Sequence, residues 1–184
     1  MSTDLAIFGG EPIRKEPFPA WPRITEEMKQ SLIYTFEKED WGVGSKTIAL
    51  FNEQFATMQD ARYCLSIHSG TSAIWICLKA AGIEAGDEVI LPSYTFIATA
   101  TAVVLANAVP VFADIDKKTA NLDPTSVEKL ITKKTKAIIP VHTAGAPANM
   151  KAFLDISKKY NIPIIEDAAQ GHGSMINNKK VGAI

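Results

Sequence analysis

Four short stretches of this chain carry side chains whose types and spacing suit binding chemistry. In Ile164-Ile165-Glu166-Asp167-Ala168-Ala169-Gln170, an acid and an amide three residues later follow two apolar residues and Pro163. That pattern places Asp167 at the carboxyl end of an interior strand, the edge of an α/β sheet where ligands bind. A carboxylate there can hold a proton on a heteroaromatic ring nitrogen, or it can simply cap the next helix. Gln170 could reach a neighbouring ring hydroxyl.

Ser69-Gly70-Thr71-Ser72-Ala73 opens a helix after an apolar run. Gly70 permits a tight turn, and the helix N-terminus offers backbone N–H groups to an anion. With the hydroxyls of Thr71 and Ser72 the segment suits a phosphate, although an ordinary capped helix has the same pattern. In Pro92-Ser93-Tyr94-Thr95-Phe96, Phe96 can be a platform for a planar ligand or a core residue. His142, in Val141-His142-Thr143-Ala144-Gly145, can line a pocket or close its strand by a hydrogen bond. A phosphate cradle, an aromatic face and an acid opposite a ring nitrogen are together what pyridoxal phosphate uses, its ring withdrawing electrons from a neighbouring carbanion.

The elements that must position these residues alternate regularly. Strand-length apolar runs occur at Tyr63–Ile67, Glu88–Leu91, Pro110–Ala113, Ala137–Val141 and Pro163–Ile165. Segments of helical period lie between them, at Ala73–Ala81, Thr95–Ala106, Pro124–Ile131 and Pro147–Tyr160. The runs are nearly continuous in apolar residues, which favours parallel strands covered on both faces. Strand–helix repetition of this kind gives an α/β fold of βαβ units with right-handed crossovers. Residues 1–44 read as an N-terminal arm, rich in Gly and Pro, and a helix capped by Thr25 with Met28, Leu32 and Phe36 in phase. Residues 45–184 read as the sheet domain.

Composition narrows the function classes. Of 184 residues, 47% are hydrophobic and 21% charged, which is ordinary for a globular domain. A formal net charge of −1 gives no electrostatic case for nucleic acid or an anionic membrane. The apolar-rich stretch from Phe96 to Val111 is broken by polar residues and Pro110, so it is not expected to span a membrane. Cys64 and Cys77, both in apolar runs, are expected to be small core residues in a reducing, cytoplasmic compartment. His68 and His172 lack ligand-like spacing, so no metal site is expected.

Taken together with Asn121-Leu122-Asp123-Pro124, these motifs, in this order and spacing, resemble the DegT/DnrJ/EryC1/StrS family of pyridoxal-phosphate-dependent sugar aminotransferases. Gly9-Gly10-Glu11-Pro12-Ile13-Arg14 and Pro19-Ala20-Trp21-Pro22 resemble the subgroup of cyclitol aminotransferases and 3-amino-5-hydroxybenzoate synthase. The resemblance covers about the first half of the family. It implies an incomplete parallel-sheet large domain of a fold-type I transferase, with helices on both faces and a homodimeric habit. By position, Gly70, Thr71 and Ser72 correspond to the phosphate cradle, and Phe96 to the residue stacking on the ring. Asp167 corresponds to the partner of the ring nitrogen, and Gln170 to the residue near the ring hydroxyl. The implied substrates are a keto-sugar, often nucleotide-linked, or a keto-cyclitol, with an amino donor, in amino-sugar, polysaccharide or antibiotic biosynthesis.

The family's Schiff-base lysine is expected beyond Ile184, so no catalytic residue is assigned within this chain, and cofactor binding is expected to be weak and non-covalent. Half of a split enzyme, a dehydratase or lyase acting on a similar ring, and a non-catalytic binding module are the competing readings. Transamination needs the lysine both to hold the cofactor and to move a proton. The pure 184-residue chain, given amino donor and keto acceptor, is therefore expected to show no transamination in a coupled assay.

Overall fold

The computed structural model describes residues 5–184, in two compact units, one ending at Thr47 and the other running from Ile48 to Ile184. The first unit contains a short 3-10 turn, Ala6–Phe8, and helix α1, Glu26–Glu37. Thr25 caps α1, its hydroxyl accepting from the Met28 N–H at 3.2 Å, and Glu26 and Glu27 complement the helix dipole. Helix α2, Lys46–Met58, begins where both carboxylate oxygens of Asp40 accept backbone N–H groups, from Lys46 and Thr47. The in-phase stripe of α1 is uncovered among the described residues, with Met28, Leu32 and Phe36 all exposed.

The second unit is a parallel α/β layer structure. Strand β1 (Glu88–Pro92) lies between β2 (Val109–Ala113) and β3 (Thr135–Ile138), parallel to both. Helices α3 (Gly70–Ala80) and α4 (Ile97–Leu105) cover one face, and α5 (Pro124–Leu130) and α6 (Met150–Tyr160) the other. Strand period two explains how both faces are apolar. Val89, Leu91, Ala137 and Ile139 pack with Ile74, Leu78 and Val103 on the α3/α4 side. Ile90 and Ile138 pack with Val127, Phe153 and Ile156 on the α5/α6 side. The helix starts follow their caps: Ser69 accepts from the Ser72 N–H, Asp123 from the Thr125 N–H, and Asn149 from the Ala152 N–H.

The expected strand at Pro163–Ile165 does run parallel to β3, but it pairs only through bridges at Ile138–Ile164 and Val141–Asp167. Pro140 explains the interruption. The ladder donates from Ile138 N to Pro163 O, from Ile165 N to Ile138 O, from Asp167 N to Pro140 O and from His142 N to Asp167 O. The one missing rung is the N–H that Pro140 does not have.

Two expectations are corrected. Tyr63–Ile67 forms no strand; it runs irregularly, tied to α2 by the Asn52 side chain, which accepts from the Ser66 N–H at 2.9 Å and from the Ser66 hydroxyl. An apolar run needs a neighbouring strand to become one, and none lies beside it among the described residues. Cys64 is only half-buried and Cys77 is exposed, because the buried stripe of α3 is Ile74 and Leu78, and Cys77 lies off it. A two-stranded hairpin, β4 (Met175–Ile176) and β5 (Lys179–Lys180), follows the layer structure. Among the described residues no helix is long and apolar enough to cross a membrane.

Tyr63 and Leu65 are each 76% exposed. Exposed apolar surface of this kind drives association. Sedimentation velocity is expected to show concentration-dependent self-association of the chain, reduced by Leu65→Ser.

Candidate cofactor cleft

The carboxyl ends of β1, β3 and the bridged Ile164–Asp167 segment open into a cleft of about 780 Å³. Gly70 and Thr71 at the start of α3, Phe96 at the start of α4, and Asp167 and Gln170 beyond the bridged segment all line it. The structure thus brings together five of the six residues singled out in the sequence. Ser72 does not line the cleft: its hydroxyl sits 3.1 Å from the Ser69 Oγ and 2.9 Å from the His68 Nε2, on the flank of α3.

Strand parity sets the acid. Asp167 is bridged to Val141, on the side of the sheet where Ile139 and Ile165 meet α3 and α4. Asp167 is 9% exposed. Oδ2 accepts from the Thr99 hydroxyl at 2.8 Å and Oδ1 from the Ala169 N–H at 3.2 Å. Among the described residues it forms no ion pair. A nearly buried anion with neutral donors only is a site for a cation.

The first-turn N–H groups of α3 point to the cleft end of the helix. The Ser69 hydroxyl serves that of Ser72, and helix geometry leaves those of Gly70 and Thr71 without an intrahelical acceptor. Phe96 is 73% exposed, so it is a cleft wall and not core. Gln170 Oε1 accepts from the Ala144 N–H at 2.6 Å, which leaves its amide NH₂ as the available donor. Ala144 and Gly145 both have positive φ, and a Cβ at Gly145 would stand 3.2 Å from the Gln170 carbonyl oxygen. That close approach fits glycine.

His142 is structural, closing its strand. The fully buried ring accepts the Ala148 N–H at Nδ1 (3.0 Å), so Nε2 carries the hydrogen that Glu166 Oε2 accepts at 2.9 Å. Glu166 also accepts from the Gly182 and Ile184 N–H groups, at 2.9 and 2.8 Å. It thereby clasps the segment after the hairpin, whose Val181 is buried.

Sequence reasoning missed three residues that shape the site. Thr99 supports Asp167; a hydroxyl on the buried stripe of an otherwise apolar helix is the signal that would have found it. Asn121, also buried, accepts from the Thr143 N–H and donates to the Ala146 and Pro147 carbonyls, shaping the loop beside Gln170. Glu166 carries no signal in the sequence beyond its place beside Asp167. Among the described residues no group of three His, Cys, Asp or Glu side chains is placed to hold a metal.

Residues 22–184 match the DegT/DnrJ/EryC1/StrS aminotransferase family. The chain belongs to that family. It is 39% identical to an L-glutamine:2-deoxy-scyllo-inosose aminotransferase from Streptomyces kanamyceticus, over 98% of this chain and 44% of that protein. Among solved structures it resembles 3-amino-5-hydroxybenzoic acid synthase, with a TM-score of 0.87 and 37% identity over 90% of this chain and 44% of the other. It also resembles NtdA from Bacillus subtilis, solved with bound cofactor PMP, with a TM-score of 0.77 and 31% identity over 94% of this chain and 41% of the other. The chain spans about half the length of the relatives it matches.

Burial, the largest influence on the Glu166 carboxyl, pushes it up, but hydrogen bonds from His142 and from the Gly182 and Ile184 N–H groups outweigh burial and hold it below its ordinary 4.5. A group depressed on folding stabilises the protein above its unfolded value and loses that effect as pH falls through the folded one. Glu166→Gln replaces one acceptor oxygen by a donor amide facing N–H groups, and is expected to cost about 1–3 kcal/mol near neutral pH. Urea unfolding should show that gap to be constant above the ordinary carboxyl value and to shrink below it.

Proposed function

We propose that this chain is the cofactor-binding part of a pyridoxal-phosphate-dependent aminotransferase acting on a keto-cyclitol, with glutamine as amino donor. The observation that carries the cofactor is Asp167: a nearly buried carboxylate without a cationic partner among the described residues, facing the same cleft as an open helix N-terminus. The substrate class and the donor follow the names of the relatives, which are cyclitol aminotransferases using L-glutamine.

Each residue's part follows from its chemistry. The N–H groups of Gly70 and Thr71, with the Thr71 hydroxyl, receive a phosphate at the positive end of α3. Ser72 supports that turn from the flank through Ser69 and His68. Phe96 offers a ring face to a planar heterocycle. Asp167 accepts from a protonated ring nitrogen and keeps the proton there. Gln170, with its oxygen committed to Ala144, donates its amide to the ring oxygen. Bound there, pyridoxal phosphate supplies the electron sink for amino-group transfer.

Pyridoxal phosphate and pyridoxamine phosphate are expected to bind the chain reversibly, to leave on dialysis, and to escape fixation by borohydride. Asp167→Asn removes the charge that pairs with the ring and is expected to weaken binding by about tenfold or more. Fluorescence titration checks this; equal affinity for the variant and the parent chain would refute the assignment of the cleft.

A further inference from the structure

We propose that Thr99, itself held by Thr95, is the positioning residue that aims the Asp167 carboxylate at the ring nitrogen of the cofactor. The inference rests on the reading of the cleft just given and adds to it the part of the chain that orients the acid.

Helical threonines usually return their hydroxyl to the carbonyl four residues back, and in this chain Thr35, Thr57 and Thr101 do so, to Ser31, Glu53 and Ile97. Thr99 does otherwise. Completely buried in the first turn of α4, it donates its only hydroxyl hydrogen across to Asp167 Oδ2 at 2.8 Å. The partner four residues back is the Thr95 hydroxyl, 2.8 Å from the Thr99 Oγ1. A carboxylate only accepts, so the direction of the relay is fixed: Thr95 O–H donates to Thr99, and Thr99 O–H donates to Asp167.

Two features make this relay suited to orientation. Its donors are neutral, so neither competes with a cationic ligand for Asp167 as an Arg or Lys neighbour would. It also grips Oδ2 while the Ala169 N–H grips Oδ1, so the carboxylate plane is held at both ends. Thr99 is completely buried within the helix layer, which holds the donor in place. Phe96 occupies the N-cap position of the same helix, so the ring platform and the acid's support share the start of α4.

The test uses the 184-residue chain with pyridoxamine 5′-phosphate labelled with ¹⁵N at the ring nitrogen, measuring affinity by fluorescence and the ring ¹⁵N shift against pH. Thr99→Val is expected to weaken binding about tenfold and to lower the pH at which the bound ring loses its proton, while Thr99→Ser, which keeps the hydroxyl, stays within about twofold of the parent. Should Thr99→Val not fold, Thr95→Val, at a half-buried position, carries the test, with about threefold weaker binding and the same direction of pH shift. Parent-like affinity and pH profile in the valine variant, with Asp167→Asn still impaired, would overturn the positioning role alone. Failure of the parent chain to bind, or full binding by Asp167→Asn, would overturn the reading of the cleft and this inference with it.

Discussion

The structure of the site depends on one parallel pairing, that of Ile164–Asp167 with the end of β3. Two hydrogen bonds at its last register, Asp167 N–H to Pro140 and His142 N–H to the Asp167 carbonyl, fix where the acid leaves the sheet. Once that register is set, side-chain direction follows from period two. Val141 and Asp167 fall on the side of α3 and α4, while the Glu166 carboxylate is drawn to His142 and to the N–H groups of Gly182 and Ile184. A slip of one residue would reverse the faces of Glu166 and Asp167 and take Asp167 away from Thr99.

The adjacent carboxylates are therefore given different tasks by their neighbours. Glu166 is engaged at both oxygens: a histidine ring and two backbone N–H groups bond to them, and it clasps the chain that follows the hairpin. Asp167 receives only a hydroxyl and one backbone N–H, and it keeps acceptor capacity towards the cleft. Three bonds that tie distant backbone make the first a structural group; two bonds from neutral donors leave the second open to bind. The aminotransferase family assignment accords with this division, since a protonated heterocycle is the kind of partner that Asp167 lacks within the chain.

Much of this was legible in the sequence because it is local. Helix starts at Thr25, Ser69 and Asp123 follow from caps that act within a few residues, and the boundaries of β1 and β2 follow from short apolar runs. Phe96, Gly70, Thr71, Asp167 and Gln170 fall at the ends of such elements, and carboxyl ends of parallel strands converge. What was misread needed a distant partner. Tyr63–Ile67 has strand composition but no strand beside it among the described residues, and Cys77 has apolar neighbours in sequence but lies off the buried stripe of its helix.

By itself, then, the sequence determined the α/β alternation, the family and the residue types offered to a planar, phosphorylated ligand, because periodicity, capping and motif spacing are properties of neighbouring residues. Tertiary structure alone decided that Glu166 is engaged by His142, Gly182 and Ile184, that Ser72 turns to His68 and Ser69, and that Thr99 supports Asp167 from 68 positions away in the chain. Hydrogen bonds of that span depend on strand register and helix packing, and neither is written in any short stretch of residues.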